Sequence, residues 1–186
     1  MPITAIVLCG GESRRFGRDK TRQPLGETSV LDRLIMALPA DWVVVAVGVP
    51  RQLSRPVTWA REDPPGGGPL AGIASGLACA TTNVVVVVAG DMPFASGAAV
   101  RLADALVDDP SVDAVVALDG AGRQNPLLAA YRSDAVRAAM PPQPGGAPAR
   151  LLLTAIRHTT LRVDDDEALD VDTPQALDHA RHRLEP

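Results

Sequence analysis

Val84-Val85-Val86-Val87-Val88-Ala89-Gly90-Asp91 is the stretch that decides the fold. It holds five β-branched residues in a row with no polar alternation, so the strand it predicts is buried on both faces. Such strands belong to parallel sheets covered by helices on either side. Apolar runs over 3–9, 42–47 and 112–118 read as companion strands. Helix-like stretches over 28–38, 70–80, 96–107, 132–139, 148–156 and 173–184 fall between or after them. Thr28 or Ser29 can cap the first of these, and Thr173-Pro174 supplies a cap followed by proline at the first helical position. The alternation predicts an α/β protein, a single domain over residues 1–186, with a doubly wound, mostly parallel sheet and helices on both faces. In such sheets ligands sit beyond the carboxyl ends of the strands. The loops at 10–24, 63–69 and 90–95 therefore gather on one edge.

Composition narrows the class. A chain of 186 residues buries roughly 70% of its unfolded surface. With 46% hydrophobic and only 3% aromatic residues, Val, Leu and Ala must fill the core. Cys9 and Cys79 form no C-x-x-C motif and no disulfide framework, which points to a reducing, cytoplasmic setting. The first apolar run has no basic segment before it and stops at Gly10. It is too short for a membrane span and lacks the form of a signal peptide. A net charge of −4 argues against nucleic-acid binding. Two Pro/Gly-rich segments, Asp63–Pro69 and Pro141–Pro148, read as loops, the second exposed and mobile.

The first strand feeds into Leu8-Cys9-Gly10-Gly11-Glu12-Ser13-Arg14-Arg15-Phe16-Gly17-Arg18-Asp19-Lys20. Glycines let backbone N–H groups approach an anion, and Arg14, Arg15, Arg18, Lys20 and Arg22 concentrate positive charge on an acidic protein. The phosphates of a nucleotide answer that need most simply. The Walker pattern fails, because Gly17 is followed by Arg18-Asp19-Lys20. The dinucleotide fingerprint fails too, since Gly10 and Gly11 are adjacent. What remains, G-G-x-S-x-R-x-G-x-D-K, resembles the signature loop of sugar-1-phosphate and cofactor nucleotidyltransferases. It is most similar to that of the molybdenum cofactor guanylyltransferase family, with Cys9 for the usual alanine and Phe16 for methionine.

Two further stretches carry the resemblance. Gly90-Asp91-Met92-Pro93 is similar to the family's D-x-P metal motif, and a carboxylate at a strand tip suits Mg²⁺ held against phosphate oxygens. The plainer reading of Asp91 is a turn or helix-capping residue. Glu62-Asp63 with Gly68-Pro69-Leu70-Ala71-Gly72-Ile73 resembles the family's E-D…G-P-L-A-G-I stretch; read alone it is a Pro/Gly connection. Arg123-Gln124-Asn125-Pro126 resembles an R-x-H-P stretch, and Asp170-Val171-Asp172-Thr173-Pro174 resembles N-I-N-T-P. Both asparagines of that last motif are aspartates here. They would assist the metal or polarise an acceptor, or else Asp172 and Thr173 simply cap the last helix.

The resemblance implies a Rossmann-like nucleotidyltransferase fold and Mg²⁺-dependent transfer of a nucleoside monophosphate, GMP from GTP, to molybdopterin or its molybdenum form, releasing pyrophosphate. It implies nucleotide contacts from Leu8, Cys9, Gly10, Gly11, Ser13, Lys20, Asp63 and Asp91. Arg15 and Lys20 would neutralise the phosphates, Asp91 would hold Mg²⁺, and Asn125, Asp170 and Asp172 would lie on the acceptor side. Transient partners that receive the labile cofactor are a further expectation. Ala46-Val47-Gly48 stands where the family often has asparagine near the base. This departure leaves CTP, a cytidylyltransferase, as the alternative, and another phosphorylated acceptor also remains open. A nucleotide-binding regulator without turnover is the rival of another class. Other candidates are weaker. His158, His179 and His182 lack metal-ligand spacing, Asp164–Glu167 reads as a solvated acidic turn, and Cys9 reads as a small buried residue.

Overall fold

Successive residues of a strand face opposite ways, and the valine run fills both sides. A computed structural model describes residues 1–10 and 19–185. In it Val84, Val86 and Val88 join one core and Val85 and Val87 the other, all fully buried. The strands are β1 (Ile3–Leu8), β2 (Pro24–Leu25), β3 (Thr28–Ser29), β4 (Val43–Val47), β5 (Thr58–Ala60), β6 (Val84–Ala89), β7 (Ala114–Leu118), β8 (Gln124–Arg132) and β9 (His158–Arg162). The helices are α1 (Val30–Ala37), α2 (Gly68–Cys79), α3 (Ser96–Asp108), α4 (Ser133–Ala139), α5 (Leu151–Ala155) and α6 (Pro174–His182). A seven-stranded sheet runs in the order β5-β4-β1-β6-β8-β7-β9, and β2 pairs with β3 in a small separate ribbon. Within the sheet β8 is antiparallel to both of its neighbours, and every other pairing is parallel.

Helices cover both faces, as the valine run predicts. Leu31, Leu34 and Ile35 of α1 and Leu102 and Leu106 of α3 close one core. Leu70, Ile73 and Leu77 of α2, with Val136 of α4 and Leu152 of α5, close the other. A third, small cluster joins Leu25 and Val30 to Val171, Leu177 and Ala180, which seats α6. The predicted caps are in place: Ser29 Oγ accepts from the Asp32 amide at 3.1 Å and Thr173 Oγ1 from the Ala176 amide at 3.1 Å.

Four features depart from the sequence-based expectation. Strand β8, the two short parallel strands β5 and β9, and the β2–β3 ribbon have no counterpart among the predicted runs. Pro126 and a pair of alanines interrupt β8, and the polar pattern of His158–Arg162 suits an edge. The Pro141–Pro148 segment is tied down, since the Gly146 amide donates to the Gly67 carbonyl at 2.7 Å. Asp164–Glu167 is more than a solvated turn, because Glu167 pairs with Arg101 and Asp165 accepts from the Gly120 amide at 2.9 Å. Among the described residues no helix is long and apolar enough to cross a membrane.

The carboxyl ends of β4, β1 and β6 lie side by side and are stitched together. The Cys9 amide donates to the Val47 carbonyl at 2.9 Å and the Gly90 amide to the Leu8 carbonyl at 2.8 Å. Both flanking glycines are required by that closeness. A Cβ on Gly48 would lie 3.1 Å from the Cys9 carbonyl carbon, and one on Gly90 would lie 3.0 Å from the Leu8 carbonyl oxygen. Gly48 thus meets a packing demand of the strand ends, in a stretch where the resembling family often carries asparagine.

Candidate active site

Beyond these strand ends lies an open cavity of about 820 Å³. Leu8, Cys9, Gly10, Lys20 and Asp91 line it, all of them expected at a nucleotide site. Gly11, Ser13 and Arg15, expected there as well, lie outside the described residues.

Three charges meet at its centre. Lys20 Nζ is ion-paired with both Asp91 and Asp172. Asp91 lies two residues past the end of β6 and is buried. Asp172 is brought to it by a backbone link, the Val171 amide donating to the Asp91 carbonyl at 3.0 Å. Val171 points into the cluster beneath α6 and is fully buried. The capping role falls to Thr173, and Asp172 faces Lys20 instead.

Burial alone would lower the pKa of the Lys20 ammonium. The Asp91 carboxylate, followed by Asp172, outweighs that and holds it above its ordinary value. Asp170 keeps contact with solvent, yet crowding by protein and repulsion from Asp91 and Asp172 push its carboxyl up to about 7. Burial also pushes the Cys9 thiol up to about 11. Cys9 therefore stays neutral at physiological pH, as a buried structural cysteine does.

The loop before α2 delivers the other acid of the Glu62-Asp63 pair, for which the resemblance implies no nucleotide contact. Ala60 packs with the α2 face of the sheet, and two residues later Glu62 turns the same way. Its Oε1 lies against Gly10 and Gly72, and its Oε2 accepts from the Gly66 amide at 3.1 Å. Glu62 lines the cavity, whereas Asp63 is exposed and is not part of the lining. Recognising Thr58–Ala60 as a strand would have given the alternation that separates the two carboxylates.

A second open cavity, of about 550 Å³, shares Gly66, Gly68, Pro69 and Leu127 with the first. Gln124, Asn125 and Arg150 supply its polar side chains. Asn125 Oδ1 accepts from the Leu127 amide at 2.9 Å, and its Nδ2 faces Met92 Sδ at 3.9 Å. Asn125 therefore lies beside the residue that follows Asp91.

Among the described residues no three His, Cys, Asp or Glu side chains form a metal-binding group. Asp91 and Asp172 nevertheless converge on one cation. Two carboxylates suit Mg²⁺, which commonly binds through one or two of them plus substrate phosphates.

Residues 5–161 match the model of the MobA-like NTP transferase domain. A molybdenum cofactor guanylyltransferase from Mesorhizobium japonicum is 39% identical over 143 residues, covering 71% of this chain and 68% of that protein. In three dimensions the chain is similar to a molybdopterin-guanine dinucleotide biosynthesis protein A from Archaeoglobus fulgidus, with a TM-score of 0.75, 22% identity and 98% of each chain covered. It is also similar to a 2-C-methyl-D-erythritol 4-phosphate cytidylyltransferase from Thermus thermophilus, with a TM-score of 0.73, 17% identity and 98% of each chain covered. At such identities the likeness speaks for the fold and leaves the base open.

Proposed function

Because the chain belongs to the MobA-like NTP transferase domain family and is a nucleotidyltransferase, we propose that it transfers GMP from GTP to the phosphate of molybdopterin or its molybdenum form. Nucleotide transfer in molybdenum cofactor biosynthesis follows from the guanylyltransferase relative. The single observation that carries the transfer chemistry is Lys20 held between Asp91 and Asp172 at the carboxyl ends of the strands.

An oxygen of the acceptor phosphate attacks the α-phosphorus of the nucleotide. A new P–O–P linkage forms, the bond between the α-phosphorus and its bridging oxygen breaks, and pyrophosphate leaves with the electron pair. The nucleophile is already an anion, so no strong general base is needed. Catalysis is then positioning plus neutralisation of charge. Phosphate oxygens compete with Asp91 and Asp172 for the Lys20 ammonium, a compact charge on a flexible stem. The two carboxylates that Lys20 gives up are the ligands expected to hold Mg²⁺, which when bound supplies positive charge to the phosphate oxygens. Gly10 offers backbone N–H, and Arg15, if it acts as the signature loop implies, adds a second cation.

Glu62 favours guanine. A carboxylate accepts from the N1–H and the 2-amino group of guanine together, whereas cytosine offers its one donor beside acceptors that a carboxylate repels. The second cavity supports an acceptor seat, because it shares Gly66, Gly68, Pro69 and Leu127 with the first and carries Asn125 and Arg150.

Pyrophosphate release from each of the four NTPs, with molybdopterin and Mg²⁺ supplied, tests the reading. GTP is the expected donor. Lys20→Ala and Asp91→Asn variants that fold normally lose about 2–4 kcal/mol of transition-state stabilisation, as when one oxyanion-stabilising donor is removed. Release from CTP alone would make the protein a cytidylyltransferase. Tight nucleotide binding without release would favour a regulator, and wild-type rates in both variants would overturn their assigned roles.

A further inference from the structure

The turn that carries Lys20 is gripped more firmly than a local cap requires. Asp19 Oδ1 accepts from the Thr21 amide at 3.0 Å and from Thr21 Oγ1 at 2.6 Å, which by itself closes the single 3₁₀ turn over Lys20–Arg22. A guanidinium from elsewhere in the chain then holds the same two residues. Arg51 Nη1 donates to Asp19 Oδ2 at 3.0 Å, and its Nη2 donates to Thr21 Oγ1 at 2.7 Å. Arg51 belongs to the connection between β4 and β5. Its side chain is only 12% exposed, and among the described residues its buried Nε has no hydrogen-bond partner.

Burying a guanidinium with one N–H unpaired is costly, and among the described residues both hydrogen bonds of Arg51 go to the immediate neighbours of Lys20. Asp19 and Thr21 face Arg51, while the Lys20 side chain between them reaches Asp91 and Asp172. The turn is fixed from below as well. Gln23 Nε2 donates to the Asp19 carbonyl at 2.8 Å, and the Gln23 carbonyl accepts from the first amide of α1, that of Val30, at 3.0 Å. Partial burial of the Asp19 carboxyl opposes its ionisation, yet Thr21 and Arg51 together keep it below the usual carboxylate range.

We propose that Arg51 is a positioning residue for nucleotidyl transfer, aiming Lys20 at the triphosphate by clamping the two residues on either side of it. This rests on the transferase reading for its purpose but on geometry for its existence, and the two are tested separately. Lys20 is the only lysine in the sequence. An amine-reactive acetylating ester, applied to nucleotide-free protein and read peptide by peptide in a mass spectrometer, therefore reports on Lys20 directly. In Arg51→Met the acetylation of Lys20 rises several-fold, because a loosened turn no longer presents the ammonium to its two carboxylates. In the same variant kcat for pyrophosphate release falls about tenfold to a hundredfold, the size expected when a reacting group is misplaced by about an ångström. The loss falls on kcat more than on KM.

Arg51→Lys restores part of kcat, and Asp19→Asn, which keeps a partner for Thr21, shows the same pattern in weaker form. A merely structural arginine would lower the melting temperature and leave both the acetylation rate and kcat of the folded variant unchanged. That result in Arg51→Met, or in Asp19→Asn should Arg51→Met fail to fold, overturns the proposal. Absence of turnover in the wild type with every NTP overturns the transferase reading instead, and the acetylation rates then decide on the clasp alone.

Discussion

At the scale of single residues the sharpest question is which carboxylate reads the base. Glu62 and Asp63 are adjacent, and only Glu62 faces the cavity, against Gly10 and Gly72. Under the proposed function, Glu62→Gln replaces two acceptors by one acceptor and one donor, which no longer match the paired N–H groups of guanine. We expect kcat/KM for GTP to fall by about ten- to a hundredfold, the range for losing a bidentate base contact worth about 1–3 kcal/mol, with CTP unaffected or improved. Steady-state rates with both nucleotides measure this, and an unchanged GTP rate would remove Glu62 from base recognition. The neighbouring Asp63 shows where residue-level reading from sequence stops. Gly10 and Asp91 stood out in the sequence because each lies two residues past a strand end, and Lys20 because it closes the loop motif that carries the family resemblance. The choice between two consecutive acids depends on the phase of a three-residue strand, too short to declare itself by alternation. The pairing of Lys20 with Asp172 spans 152 residues of chain, a separation to which no local pattern is sensitive.

At the scale of elements, three helices end on arginines borrowed from distant parts of the chain. Arg55 donates to the Ile35 and Leu38 carbonyls at the end of α1 and to those of Pro39, Ala40 and Trp42 beyond it. Arg137 serves Leu77 and Ala80 at the end of α2, at 2.7 and 2.8 Å. Arg132 serves Leu106 at 2.9 Å and Asp109 at 3.1 Å at the end of α3, and Val112 at 2.9 Å ahead of β7. A helix C-terminus leaves carbonyls without partners and carries partial negative charge, so a guanidinium there is favourable twice over. Truncating one exposes carbonyls that are partly shielded from water. Arg132→Met should cost about 2–3 kcal/mol, the scale of a hydrogen bond to a charged group. Arg123→Met removes an ion pair from a side chain that is 81% exposed and should cost less than about 1 kcal/mol. Urea unfolding of both variants checks the contrast, and equal losses would refute it. These caps are invisible in sequence, because a local pattern can flag a glycine or proline just past a helix but not an arginine supplied from elsewhere in the chain. The helices themselves were legible, as were the four valine-rich strands, because periodicity is a local property. Strand β8 was not, since its antiparallel pairing with β6 and β7 is set by tertiary neighbours and its own residues include Pro126 and two alanines.

At the scale of the whole molecule, the doubly wound sheet works by gathering. Its order sets β1 between β4 and β6, so the segments following all three strands meet at the cavity, and α6 returns Asp172 to them from the far end of the chain. That return depends on the segment before α6, which ion pairs hold to the body. Arg101 of α3 grips Glu167 in that segment through two bonds of 2.9 and 2.6 Å, and at the starts of β7 and β9 Arg157 grips Asp113 through two of 3.0 Å. Hydrogen bonds from Arg101 hold the Glu167 carboxyl below its ordinary range, and those from Arg157 do the same for Asp113. A carboxyl whose folded pKa is depressed binds fewer protons folded than unfolded. Its contribution to stability is therefore complete above the unfolded value, about 4 for these groups, and is lost as pH falls through the folded value. Both arginines are well exposed, so solvent screening keeps the Glu167 contribution to about 1 kcal/mol or less. The difference in stability between wild type and Glu167→Gln isolates it, because the remaining carboxyls, Asp170 among them, titrate in both proteins. We expect a constant difference from pH 8 down to about 5, narrowing towards zero below about 4 as Glu167 takes up its proton. Chemical denaturation across that range measures it. A difference that stayed constant down to pH 3 would show that the pair with Arg101 does not tie α3 to the segment that delivers Asp172.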